Sequence, residues 1–202
     1  MKRILIFIIS ITALLCGTVV SQTDGNELLK KLQQKFDSIK DLSADFTQTN
    51  NGKTIFSGSL LFKKENKFKI TTEKFIIVSD ATTSWSYSKK ENKVIITNYD
   101  DEDPGVFSLN ELVYVFPEQC DVISKIENQE SVLILTPNSY KYNFDSVQIW
   151  LNNEDLISKV LLTEYASGKT AVVFSNYRLN QNLPDSKYSF TPPEGSKIID
   201  LR

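Results

Sequence analysis

Few side chains in this sequence could carry out chemistry. There is no histidine, which removes Ser-His-Asp and Cys-His dyads and imidazole metal sites. Cysteine occurs only at Cys16 and Cys120. Cys16 lies in an N-terminal apolar run, so Cys120, after "FPEQ", reads as a packed small residue with no partner for an internal disulfide. The densest carboxylates are Asp100 to Asp103 in "DDEDPG". Pro104-Gly105 mark a loop and the spacing lacks the EF-hand pattern. The group therefore reads as a solvated acidic turn, with weak Ca²⁺ binding as the other option. There is no Gly-x-Ser-x-Gly elbow. No cofactor, no metal centre and no enzymatic reaction are expected.

What the chain offers instead is apolar surface. "FIIVSDATTSWSY", Phe75 to Tyr87, puts four bulky apolar residues in a row, a Ser-Asp turn, and then Trp85 and Tyr87. A strand with one wet face would alternate apolar and polar residues. The neighbouring elements must say which surface this stretch fills. Asp24 with Glu27 forms a capping box. Leu28, Leu32, Phe36 and Ile39 recur at helical spacing, opposite Lys30, Gln34, Lys35 and Asp37, so an amphipathic helix is predicted to about Lys40. From Leu42 the pattern turns to strands: "LSADFTQT", an Asn50-Asn51-Gly52 hairpin turn, "TIFSGSLLFKK", "KFKITTE", "FIIVS", "SWSYS" and "KVIITNY", an antiparallel meander. It breaks at the acidic turn. Ser108 then caps a short helix whose Leu109, Leu112, Val113 and Phe116 share one side, stopped by Pro117. This helix is either a lid or a plug for the end of the sheet. Strands resume with "SVLILTP", "SVQIWLN", "ISKVLLTEY" and "TAVVFSNYRLN", and the chain closes on "YSFTPPEGSKIIDLR".

At the N-terminus, Lys2 and Arg3 precede a 13-residue apolar run, Ile4 to Cys16. It is short for a membrane span and is followed by small and polar residues, the pattern of a secretory signal. Cleavage is expected near Ser21. Lipidation at Cys16 is the alternative, with Leu15 a poor fit before it. Removing residues 1–21 leaves 21 basic and 25 acidic residues, a net charge of −4, which argues against a nucleic-acid partner. Residues 22–202 have no linker, repeat or low-complexity tract and read as one domain.

About eleven strands and two or three helices make an α+β fold that is mainly β. A single antiparallel sheet of that size curls toward a barrel or half-barrel. Its concave face needs filling, and two helical stripes leave room for a guest.

The residues at this point resemble a known family, the LolA-type periplasmic outer-membrane lipoprotein carriers. "DFTQT" at Asp45 to Thr49 is similar to the family's Phe-Thr-Gln strand. "GSLLFKKENKFKI", Gly58 to Ile70, resembles its Gly-x-Leu-x-hydrophobic-Lys-Arg-Pro-x-x-Phe segment. "IIVSDATTSWSY" resembles its Val-Ser-Asp-Gly-x-x-x-Trp-x-Tyr block, "YSFTPPEGSKIID" its Phe-x-Phe-x-Pro-Pro-x-Gly ending, and "LTP", Leu135 to Pro137, also fits. The family's arginine falls at Lys64, its next proline at Glu65, and a glycine at Ala81.

The resemblance implies an unclosed barrel with an acyl-chain cavity under a lid of two or three helices. From the first three strands the cavity would take Phe46, Leu60, Phe62, Phe68 and Ile70. From the opening stretch it would take Ile77, Trp85 and Tyr87, with Phe75 on the same face and Ile76 and Val78 on the other. A one-residue slip exchanges those faces. Leu28, Leu32 and Phe36 of the first helix and Leu109, Leu112, Val113 and Phe116 of the second would form the lid. Lys64 would latch lid to barrel with a weaker grip than arginine's planar fork. The implied protein is a monomeric periplasmic chaperone. It receives acylated lipoproteins from an inner-membrane ABC transporter and passes them to an outer-membrane receptor or to the outer membrane itself. Two alternatives stand beside it: a lipocalin-like binder of a small apolar ligand, and an envelope-assembly accessory with its concave face filled.

Overall fold

The structure, a computed structural model, describes residues 24–99, 108–139 and 142–202. The expected signal segment 1–21, with Cys16, and the acidic turn at Asp100 to Asp103 lie outside the described residues. Helix α1 spans Gly25–Ser38. Six strands follow: β1 (Asp41–Asn50), β2 (Lys53–Lys63), β3 (Lys67–Thr72), β4 (Phe75–Asp80), β5 (Thr83–Ser88) and β6 (Lys93–Asn98). A second helix, α2, occupies residues 109–118, with Glu111–Val115 π-helical and Phe116–Glu118 α-helical. Then come β7 (Cys120–Glu127), β8 (Glu130–Pro137), β9 (Phe144–Leu151), β10 (Ile157–Glu164) and β11 (Gly168–Leu179). A 3-10 turn (Asp185–Tyr188) and β12 (Lys197–Asp200) close the chain.

All twelve strands belong to one sheet, ordered β12-β6-β5-β4-β3-β2-β1-β11-β10-β9-β8-β7. Every pairing is antiparallel except β12 on β6, which is parallel. The two edges, β12 and β7, do not meet, so the barrel is open. The β7 segment, "CDVISKIE", carries a weak alternation that sequence reading passed over. It supplies the strand beyond the eleven expected.

Local chemistry explains the turns. Asn51 and Gly52 both have positive φ (47° and 78°), the requirement of the two-residue turn that Asn-Gly favours. Ala81, where the family carries glycine, also sits at positive φ, 74°, costing an L-residue about 1 kcal/mol. The turn is held by side chains: Ser79 Oγ accepts from Ala81 N (3.1 Å), and Asp80 Oδ1 accepts from Thr82 N and Thr83 N (2.9 and 2.8 Å).

Asp24 caps helix α1, its Oδ1 accepting from Asn26 N at 3.0 Å, while Glu27, expected to complete a capping box, pairs with Lys31 at 3.4 Å. At the start of α1 a Cβ on Gly25 would lie 2.5 Å from Val122 O, so only glycine lets the helix sit directly on β7. α2 ends at Glu118, one residue past Pro117. The proline ring lacks an N–H and would clash with the carbonyl of Val113 in a regular α-helix. The chain widens instead into π geometry, with Phe116 N–H donating to Glu111 O. The bypassed Val113 carbonyl accepts from Gln33 Nε2 of α1 at 3.1 Å.

The two helices lie on the concave side, against β7 and β8. Leu28, Leu32, Leu112 and Val113 are buried there with Leu133, Leu135, Val147, Ile149 and Leu151 in one apolar core. The helices therefore fill the β7–β9 half of the trough.

Candidate apolar hollow

Among the described residues, the other half of the trough is not filled. Strands β1 to β4 and β11 wall a hollow of about 390 Å³. Its sides alternate along each strand as the pleat demands. Phe46 comes from β1, Phe56, Leu60 and Phe62 from β2, and Phe68 and Ile70 from β3. Phe75 and Ile77 come from β4, and Val172 and Phe174 from β11. Leu109 of α2 closes one side. Gly58 is the remaining inward position of β2, directly opposite Phe46. A Cβ there would stand 2.1 Å from Thr71 O, so glycine permits the close β2–β3 approach.

The aromatic rings inside are ordered. Phe46 meets Phe56 edge-on with centroids 6.1 Å apart, and Phe56 meets Phe75 edge-on at 5.1 Å. These rings cluster where β2 and β4 begin. At the opposite end, where β2 and β6 finish, the lining turns polar with Asn66, Tyr99 and Ser108. Gln48 is the fourth polar lining residue and lies beside Phe56.

The helical cover is tied at named points. Phe36 of α1 packs on Phe62 of the wall (5.3 Å) and on Tyr114 of α2 (6.0 Å). The Tyr114 hydroxyl donates to Asp37 Oδ1. Burial, and secondarily that hydrogen bond, push its pKa up to about 12. Phe116 closes an aromatic trio with Tyr142 and Phe144 at 5.5 and 5.3 Å. Ser108 caps α2 as expected, its Oγ accepting from Glu111 N at 3.3 Å.

Residues 37–191 match the family described as Outer membrane lipoprotein carrier protein LolA. The chain belongs to this family. The match takes in β1 to β11 and the 3-10 turn. An uncharacterized protein of Methanocaldococcus jannaschii is 25% identical over 98% of this chain, which spans 60% of that protein's length. An outer-membrane lipoprotein carrier protein of Pseudomonas putida is 24% identical over 94% of this chain and 95% of its own. Among solved structures, an uncharacterized conserved protein from Thermus thermophilus superposes with a TM-score of 0.58 at 10% identity, covering 87% of this chain and 98% of that one. That last likeness speaks to the fold.

Against the expectations drawn from the LolA resemblance, six of the eight expected cavity residues line the hollow: Phe46, Leu60, Phe62, Phe68, Ile70 and Ile77. Trp85 and Tyr87 do not. Ile77 pairs with Ser86, whereas Val78 pairs with Trp85 and Ile76 with Tyr87. Directly paired residues share a face, so both rings stand with Ile76 and Val78 on the convex side, and Ser86 stands on Ile77's side. The aromatic strand thus serves a second apolar layer. The segment after β11 crosses the outside of the sheet there, its 3-10 turn lying against β3 and β4. Tyr87 packs on Phe190 at 5.7 Å, and Val78, Val94 and Tyr188 are fully buried.

This outer strap is anchored at β1. The carboxylate of Asp41 is buried and accepts from Gln181 N (2.8 Å) and Leu183 N (3.2 Å), while the Asp41 carbonyl accepts from Asn180 N (2.8 Å). Lys63 and Lys67 pair with Asp185, and their hydrogen bonds lower that carboxyl's pKa.

The seven expected cover residues lie on α1 and α2. Leu28, Leu32, Leu112 and Val113 are buried, and Phe36, Leu109 and Phe116 pack against the core. Lys64 Nζ donates to the carbonyl of Asp37 at the end of α1, and its own N–H donates to Lys40 O at 3.0 Å. A cation on the last carbonyls of a helix is favourable, and here it reaches from the wall to the cover. Sequence reading missed Phe56, Val172 and Phe174. The first was legible in the parity of "TIFSGSLLF", where Phe56 shares a face with Leu60 and Phe62. The β11 pair became recognisable only once β11 was known to lie beside β1.

Proposed function

We propose that this protein is a non-enzymatic carrier that shields the acyl chains of lipoproteins in the β1–β4 hollow and moves them through the periplasm from inner to outer membrane. The observation that carries this reading is an apolar hollow beside a helical cover in a chain of the lipoprotein-carrier family. The energetics require such a device. At about 0.8 kcal/mol per methylene, a 16-carbon chain costs on the order of 12 kcal/mol to leave in water. Release must also remain feasible, because a carrier that captured the full gain from several chains would approach the affinity ceiling near 20 kcal/mol. Lifting α1 and α2 offsets part of the gain. Their contacts with the sheet are given up when bulky cargo enters and are restored when it leaves. Loading by an ATP-driven inner-membrane transporter and unloading to a receptor or to the outer membrane fit that cycle.

Depletion of the protein, followed by fractionation of the two membranes, tests this. Lipoproteins are expected to accumulate at the inner membrane, and acylated lipoprotein is expected to co-purify with the carrier. Unchanged lipoprotein distribution, with only a small lipid bound, would replace the carrier with a small-ligand binder.

A further inference from the structure

We propose that the hollow, with α1 and α2 in place, takes one straight acyl chain, with its methyl end against the rings of Phe46, Phe56 and Phe75, and that these rings set the longest chain accepted. This rests on the carrier reading and adds stoichiometry, orientation and length selection. Volume gives the stoichiometry. An apolar cavity of about 150 Å³ holds one benzene, six carbons. On that scale the 390 Å³ hollow holds about 15 carbons, one acyl chain rather than two or three. Among the described residues the side beneath α1 and α2 is packed core, with a further space of only about 20 Å³ beside Leu32 and Leu109.

Chemistry gives the orientation. Asn66, Tyr99 and Ser108 lie at the end where β2 and β6 finish, which suits an ester or amide head. The other end is walled by Phe56 and Phe75 in edge-to-face contact at 5.1 Å, backed by Phe46. Gln48 lies beside Phe56 in the pairing of β1 with β2 and is the one polar lining residue at that end among the described residues. A tail entering from the polar end passes Phe62 and Phe68 first and meets the cluster of Phe46, Phe56 and Phe75 last. Each added methylene should gain affinity until it reaches them, and none after. A cargo with more than one chain must lift α1 and α2 or leave the extra chains outside this hollow.

The probe is a series of free saturated fatty acids from about 10 to 20 carbons, titrated into the purified protein, with bound copies counted by native mass spectrometry. Affinity is expected to rise about fourfold per methylene to a break near 15 carbons, with one fatty acid per protein. Phe75→Ala should move the break to chains about four to six carbons longer, the size of the ring removed. Ile77→Phe, which fills the middle of the hollow, should move it about three carbons shorter. Shifts in opposite directions in two variants cannot come from general loosening of the fold. Two or more copies bound at saturation, no break through the series, or a break that neither variant moves would overturn the single-chain ruler while leaving the carrier reading intact. Absence of any fatty-acid binding by the unmodified protein would also overturn the ruler, and the carrier reading would then be decided by the depletion test.

Discussion

Leu32→Ala separates the filled half of the trough from the empty half. Leu32 is 2% exposed and belongs to the core between α1 and the sheet, and it does not line the hollow. Truncating a buried leucine costs about 2–5 kcal/mol. A raised cover loses the same contacts as the unfolded chain, so the equilibrium between closed and raised cover shifts by a similar amount, about 30-fold at the lower bound. A ligand that binds only the raised form gains apparent affinity in proportion to that form's population. A single-chain probe that fits the hollow with α1 and α2 in place does not. The assay pairs amide exchange across α1 with titrations of a 14-carbon fatty acid and of a two-chain lipid. The expected result is exchange in α1 faster by about 30-fold or more, two-chain affinity raised by a comparable factor, and fatty-acid affinity within about twofold of the original. If α1 exchanges faster and two-chain affinity does not move, raising the cover is not on the binding path and the release argument fails.

Two further perturbations concern the cover tie and the outer strap. Tyr114 has its pKa raised from 10.0 to about 12, by burial and then by Asp37. Its hydrogen bond therefore stabilises the folded chain fully below the ordinary value and is lost as pH rises through about 12. The gap in urea midpoint between the original protein and Tyr114→Phe should be open near pH 9 and close by about pH 12, and a gap independent of pH would count against the Tyr114–Asp37 tie. Tyr188 is fully buried under the strap and its hydroxyl has no hydrogen-bond partner among the described residues. Tyr188→Phe should stabilise by about 1–3 kcal/mol, seen as a rise in Tm of about 2–4 °C for each kcal/mol in a domain of this size. A lower Tm would mean that the hydroxyl is bonded after all.

Several features were legible residue by residue because they are local. Asp24 and Ser108 cap their helices through side chains within three residues. Asn51-Gly52 makes its hairpin because both positions need positive φ. The parity of Leu60 and Phe62, Phe68 and Ile70 places them on one face wherever the strands sit. Pro117 was read by the same local logic, and α2 ends one residue past it, at Glu118. What local logic could not show is the π turn before that proline and Gln33 of α1, 84 residues before Pro117 in the numbering, donating to the Val113 carbonyl.

The sequence by itself determined a mostly antiparallel curved sheet with two amphipathic helices and more apolar side chains than one core face needs. Those facts follow from periodicity, turn chemistry and composition. Which face each apolar strand serves was decided only in three dimensions. "SWSYS" alternates equally well with its rings inward or outward, and the choice depended on pairing Val78 with Trp85 and on a strap more than 90 residues later in the chain. The hollow itself is likewise a tertiary fact. It exists because the helices settle on β7 and β8, where Gly25 permits contact, and among the described residues leave the inner face of β1 to β4 largely uncovered. No single segment encodes an empty space.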